Sequence, residues 1–219
     1  MSKKNKRLKI LSPKLPLELA DAKCQEGQFA DGEQLCGILF SNCILEDIKA
    51  EKMSFKQTVF RNVEFRRTYF AGADIEDARF ENCDLSNMDL GGAIIHRTVF
   101  ENCKMLGANF SGAALQNVII DNCNACYVNF RFSNFKRTLL KESAFCMGDF
   151  QSSEFLDVTL EDDDLSKAQL SGTGLCGIDL STCLIEGIGV RMEDVEGVMV
   201  SPGQAVLLSG LMGIVVKDM

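Results

Sequence analysis

The chain has 219 residues, 46% of them hydrophobic and 25% charged, with a formal net charge of −8, ten cysteines and one histidine. That is enough apolar material for a buried core, which excludes a disordered tail, and no run of eighteen apolar residues is present to span a membrane. The acidic balance argues against nucleic acid as a partner, because phosphates would be repelled.

Charge is uneven from the start. Residues 1–14 carry six Lys/Arg and no acid, whereas the rest of the chain carries 17 basic and 31 acidic groups. The basic stretch has no apolar core of the kind a signal peptide needs, so a cytoplasmic protein with reduced thiols is expected. Residues 1–18 are predicted to be a flexible basic segment. Leu19, Cys24 and Phe29 then follow at intervals of five, but six residues separate Phe29 from Leu35. A bulge near Gly32 would absorb the extra residue and leave the first turn of the pattern imperfect.

From Phe40 to Ile185 every fifth residue belongs to a lattice of 30 positions, and all but Ala50 and Ala125 are Phe, Leu, Ile or Met. Thirteen of the fifteen phenylalanines lie on it, where random placement would put about a fifth of them. The period is neither the 3.6 of a helix nor the 2 of a simple strand. Two residues before each lattice site stands a second set, mostly small or apolar, including Ala73, Ala78, Cys83, Ala108 and Val118. The intervening positions are mostly polar. Each five-residue unit therefore reads as a short extended side with two residues facing in, followed by a turn. Blocks such as 98-TVFENCKM-105 and 58-TVFRNVEF-65 show that similarity also returns at multiples of twenty.

Units such as 108-ANFSG-112, 73-ADIED-77 and 168-AQLSG-172 carry the resemblance to the pentapeptide-repeat family, over roughly residues 35–190. The resemblance implies an all-β solenoid, a right-handed quadrilateral β-helix of four units per coil and about eight coils. Residues 19–200 would form it. No insertion breaks the register between Leu35 and Ile185, so no protruding loops are expected.

In such a rod, residues twenty apart share a face. Asn42, Asn62, Asn82, Asn102 and Asn122 form one column, a candidate amide ladder; Gly32, Gly72, Gly92, Gly112 and Gly172 form another, at positions suited to φ > 0. Cys83, Cys103 and Cys123 stack at inward sites and read as packing, not as a metal strip. Cys123 and Cys126 form a CxxC, but one faces in and the other out, so they cannot share an ion. Cys36, Cys146 and Cys176 read as outward thiols, and His96 as a surface residue. Asp163 breaks the rule that its inward position be small or apolar, and a local distortion or solvated opening is expected there. No catalytic constellation, cofactor site or metal site emerges, so a non-enzyme is expected.

The outward acids favour one face. Glu81, Glu101, Asp121 and Glu161 share a column; Glu142 and Asp162 lie nearby, and Asp74, Glu76 and Asp77 sit around a corner. Arg79 and Lys141 interrupt the strip, and an exposed aliphatic column of Val99, Ile119 and Leu139 runs beside it. This acidic face is the candidate partner-binding surface.

After Val200 the pattern ends. Ser201-Pro202-Gly203-Gln204 reads as an N-cap, an N1 proline and a capping-box glutamine. A short apolar helix over Ala205 to about Leu211 follows, and Gly213 ends it. Ile214-Val215-Val216 is predicted to be a last strand. Residues 201–219 are thus a capping and dimerisation segment, with Val206, Leu207, Leu208, Leu211, Met212, Ile214 and Val215 meeting a second copy end to end. The Qnr-type quinolone-resistance branch of the family is similar here. That branch implies an acidic DNA mimic binding type II topoisomerases, DNA gyrase or topoisomerase IV. A loop-free rod would inhibit or compete with DNA in place of loop-dependent protection. The alternative is a non-catalytic interaction scaffold with an unrelated partner.

Overall fold

The computed structural model describes residues 9–22 and 28–217. The first eight residues of the basic segment, and Cys24, lie outside the described residues. The chain is a parallel β-solenoid of about seven turns with one short C-terminal helix. Short strands β1 (Ala20–Ala22), β2 (Gln34–Cys36) and β4 (Ser54–Lys56) stand near the N-terminal end. Longer ones follow the coils: β3 (Ile38–Glu46), β5 (Val59–Arg66), β6 (Asp74–Glu81), β7 (Ile94–Glu101), β8 (Ala114–Asp121), β9 (Asn134–Lys141) and β10 (Glu154–Glu161). The main path runs β1-β3-β5-β6-β7-β8-β9-β10, all parallel.

The twenty-residue register is regular. Leu39 pairs with Val59, Phe80 with Phe100, Phe100 with Ile120 and Leu140 with Leu160. Isolated bridges carry it on to Asp179 and Met199. The slip falls where the phase of the sequence slips. β1 pairs with β3 eighteen residues on, Ala20 with Ile38, whereas Gly32 already keeps the regular register, its N–H donating to the Glu51 carbonyl as that of Lys52 does to Ala71, so the expected bulge does not lie at Gly32.

Corners explain why five residues close one side. The second residue after a lattice site is left-handed in turn after turn: Asn42, Asp47, Asn62, Asp77, Asn82, Asn102 and Asn122 all have φ of 50–56°. Asn, Asp and Gly tolerate this conformation best, which is why the Asn and Gly columns fall there. Tyr127, Phe132 and Met147 adopt it too, with φ of 56–61°, so register overrides local preference.

The lattice residues form the core. Phe40, Phe60, Phe80 and Phe100 stack along one wall with ring centroids 5.2, 4.8 and 4.8 Å apart, a spacing set by the strand separation of ~4.8 Å. Phe110, Phe130 and Phe150 repeat the device at 5.0 and 5.2 Å. Phe29 closes the N-terminal end, packing on Phe40 and Phe70.

The second inward position has a hydrogen-bonding role as well as a packing one. Ser143 Oγ accepts the Cys123 N–H at 3.0 Å and donates to the Lys141 carbonyl at 2.7 Å. Cys123 does the same with sulfur, accepting from Cys103 N–H and donating to Asp121 O. A small residue with one donor and one acceptor suits this site, so the cysteines stand in for serine. Asp163 occupies the same position without distorting the coil: its neighbour Asp164 keeps register with Ala144 and Leu184. The expected opening is absent. Asp163 is 1% exposed, Oδ1 accepts the Ser143 N–H at 2.9 Å, and Oδ2 is buried without a partner among the described residues. Burial, with Asp162 and Glu161 nearby, pushes its carboxyl up to about 7.

Two expectations about cysteine are corrected. Cys126 and Cys146 stack in adjacent coils at outward sites twenty residues apart, with Cα atoms 4.6 Å apart, and form a disulfide. Cys43 is also disulfide-bonded. The thiols are therefore not all reduced, and Cys146 is no free outward thiol.

At the C-terminus, α1 (Pro202–Ser209) has the predicted capping box: Ser201 Oγ accepts from Gln204 N, and Gln204 Oε1 accepts from Ser201 N. Gln204 also reaches the last coil, donating to the carbonyls of Leu180 and Cys183 at 2.7 Å each. The Leu180 carbonyl also accepts the Cys183 N–H, while the Cys183 carbonyl has no further coil to pair with, so the helix closes the rod by hydrogen bonding. A 3-10 turn over Gly210–Met212 follows, and Gly213 ends it with φ of 73°. Residues 214–217 form no strand, which corrects that prediction.

Candidate partner-binding face

The register puts Glu81, Glu101, Asp121, Lys141 and Glu161 in one column as the sequence indicated. Like charges stacked at one strand spacing repel, and the structure relieves them with arginine. Arg61 Nε meets Glu81 at 2.7 Å; Arg79 spans Glu81 at 3.2 Å and Glu101 at 2.9 Å. Lys141 meets Glu142 at 3.0 Å, and its ammonium is held above its ordinary range by that carboxylate, with Asp121 and Glu161 assisting.

The corner acids are neutralised more fully. Arg97 donates to both Asp77 oxygens, at 2.5 and 2.8 Å, and to Glu76 at 2.6 Å. Asp77 is buried. Burial raises its carboxyl, but the hydrogen bonds from Arg97 and the Lys14 amide outweigh it and hold it below the ordinary value. Asp77 thus offers no free charge to a partner. Asp74 stands between Ser54 and Ile94 in its column. Beside them His96 is half-buried, not the open surface residue expected. Its Nε2 lies 3.2 Å from Asn117 Nδ2, and burial with the Arg97 charge lowers its pKa. The aliphatic column is also only half-exposed, since Val99, Ile119 and Leu139 cover one another in register.

The amide ladder exists in pieces. Asn62 donates to Asn42 at 2.9 Å and Asn122 to Asn102 at 2.7 Å. A second run on another corner, Asp89–Asn109–Asn129, is bonded at 2.8 and 3.1 Å and lies outside the columns read from the sequence.

Unneutralised charge lies elsewhere. Residues 35–141 contain 12 acidic and 13 basic groups, a net of +1; residues 142–200 contain 13 acidic and 2 basic groups, a net of −11. Glu154, Asp157, Glu161 and Asp162 are all exposed and have no ion pair among the described residues. Asp179, Glu186 and Glu196 add to the same end. The signal is present in the sequence, and only a count taken coil by coil brings it out.

That end also carries the exposed apolar groups. Val206, Leu207, Leu211, Met212, Ile214 and Val215 are exposed, and Leu208 is half-buried. Between α1 and the last coil a cleft of 240 Å3 is lined by Met192, Val195, Val198, Leu208, Leu211 and Met212. The helix meets the rod through buried Gln204 and half-buried Leu208 and leaves the rest of its apolar surface exposed.

Among the described residues no cluster of His, Cys, Asp or Glu is placed to hold a metal ion, and no helix is long and apolar enough to cross a membrane.

Comparison with solved structures returns several similar proteins. One is QnrB1, a plasmid-mediated fluoroquinolone resistance protein, in a trypsin-treated variant form: 18% identity, 82% of this chain and 99% of that one, TM-score 0.46. Another is HetL, a pentapeptide repeat protein involved in heterocyst differentiation regulation from the cyanobacterium Nostoc sp. strain PCC 7120: 17% identity, 80% and 92%, TM-score 0.45. No curated protein sequence is significantly similar. A family profile described as pentapeptide repeats in nine copies matches residues 40–94, and one for a pentapeptide repeat region matches residues 73–147. The two profiles together identify residues 40–147 as a pentapeptide-repeat region, in agreement with the five-residue lattice and its parallel coils.

Proposed function

We propose that the protein is a non-catalytic DNA mimic that binds a type II topoisomerase, DNA gyrase or topoisomerase IV, as a homodimer joined through its C-terminal helix. The observation that carries the reading is the charge of residues 142–200. Three coils at ~4.8 Å each span about 14 Å, over which B-form DNA carries roughly 8 phosphate charges. This segment carries −11. Residues 35–141, at +1, do not resemble DNA at all. Mimicry is thus confined to the end that bears the exposed apolar helix. Joining two copies there sets both acidic segments side by side across the two-fold axis, a central belt suited to a basic saddle.

The balanced ion pairing around Arg61, Arg79 and Arg97 favours a second reading, a scaffold with an unrelated partner. Gyrase supercoiling titrated with the pure protein, with and without ciprofloxacin, separates the two. Mimicry gives inhibition, and relief of drug-stabilised cleavage where DNA is displaced. A flat titration to tens of micromolar would leave the scaffold reading standing.

A further inference from the structure

Residues 9–17, expected to be part of a free basic tail, lie along the rod instead. The Leu11 N–H donates to Asn117 Oδ1 at 3.3 Å, the Lys14 N–H donates to Asp77 Oδ1 at 2.9 Å, and Gln57 Nε2 donates to the Lys14 carbonyl at 3.1 Å. All three contacts are to the strap's main chain. We propose that Gln57, Asp77 and Asn117 form a binding groove for extended, proline-containing peptide, and that residues 9–17 are its occupant in cis.

The spacing supports this. Asp77 and Asn117 occupy the same corner two coils apart, about 9.6 Å at ~4.8 Å per coil. A polyproline II segment advances ~3.1 Å per residue and returns to the same face every third residue, about 9.3 Å. Leu11 and Lys14 are three residues apart. Pro13 and Pro16 fix their own φ and push Ser12 and Leu15 into extended conformations. Of the two residues between the donors, Pro13 carries no N–H of its own. The rod thus presents one acceptor per turn of such a peptide.

The groove is fixed without the strap. Arg97 holds both Asp77 oxygens. Arg137 Nε donates to Asn117 Oδ1 at 3.1 Å, and His96 Nε2 lies 3.2 Å from Asn117 Nδ2. The strap covers these groups, since Asp77 is 6% and Asn117 1% exposed, yet Leu11, Ser12 and Lys14 are themselves exposed. Because recognition is through the main chain, a partner needs the proline spacing and not this exact sequence. The groove is distinct from the acidic end and stands whether or not the topoisomerase reading holds.

The test uses the full chain with Leu11→Pro/Lys14→Pro, which deletes both strap donors and leaves the groove intact. A synthetic peptide of residues 9–17 is titrated while the side-chain NMR signals of Arg97 and Asn117 are followed. The freed variant is expected to bind. Wild type is expected to bind at least about tenfold more weakly, because its own strap holds the site in most molecules. The same peptide with proline at both donor positions should bind neither protein. The proposal is overturned if the freed variant ignores the peptide at millimolar concentration, if wild type binds equally well, or if the proline-substituted peptide binds like the original.

Discussion

Asp163→Ser raises stability at pH 8 by up to about 4 kcal/mol and leaves it nearly unchanged at pH 4. The carboxyl is buried, receives one N–H at Oδ1, and has an unpartnered Oδ2. It ionises at about 7 in the folded chain and near 3.9 when unfolded. Below pH 4 both states are protonated and nothing is lost. Between roughly pH 4 and 7 only the unfolded state releases its proton, so stability falls as pH rises, by about 1.4 kcal/mol per unit. Above 7 the full penalty persists. Serine removes the charge yet keeps the local chemistry, because Ser143 one coil earlier accepts an N–H and donates to a carbonyl. Urea unfolding of both proteins from pH 4 to 8 measures the difference. Parallel pH profiles would mean that Asp163 is solvated, not buried.

Phe80→Ala is the largest single loss expected, about 3–5 kcal/mol from lost burial and the cavity left behind. Phe80 is 1% exposed and stacks on Phe60 and Phe100 at 4.8 Å on both sides. Each coil buries its inner face only against its neighbours, so a gap in mid-rod weakens two interfaces at once. Phe80→Leu costs less, since Leu140 and Leu160 fill the same column further along. Denaturant unfolding with a loss under about 1 kcal/mol for the alanine variant would refute the stacked-column account.

These two residues mark how far the sequence can be read. The lattice that holds Phe80 fixes coil length, inward faces and register, because five residues per side and twenty per coil admit one way to bury every large apolar group. The capping box at Ser201 and Gln204 is legible for the same reason: local hydrogen-bonding chemistry repeats between proteins. Asp163 is legible as an anomaly but not in its outcome. A rule broken once says nothing about whether the coil yields or the proton stays. Arg97 escapes a sequence reading because its partners Glu76 and Asp77 lie twenty-one and twenty residues back, and only side-chain reach decides such pairs. The Cys126–Cys146 bond is within reach of column arithmetic, but the CxxC spacing draws attention to Cys123, which lies on the opposite side of the wall. The strap has no periodicity, so nothing in residues 9–17 announces Asp77 or Asn117 as its acceptors.

The same distinction separates fold from function in this chain. Packing repeats, and the repeat is visible wherever one looks along residues 40–185. The surface does not repeat. Arginines quiet the acids of the first coils, while Glu154, Asp157, Glu161 and Asp162 stand without an ion pair among the described residues, beside a helix whose apolar side is open. Charge on a regular rod is a property of position along it, so an average over the whole rod conceals the segment that matters.

The most direct test of the account is displacement of fluorescent DNA from purified DNA gyrase. Wild type is compared with Glu154→Gln/Asp157→Asn/Glu161→Gln/Asp162→Asn and with a mid-rod control, Glu81→Gln/Glu101→Gln. Wild type and the control are expected to displace DNA alike, with a steep loss as salt rises. The four-site variant should require at least about tenfold more protein, since exposed charges act mainly through steering and local concentration. No displacement by wild type, or equal displacement by wild type and the four-site variant, would contradict the proposal that the acidic C-terminal coils stand in for DNA.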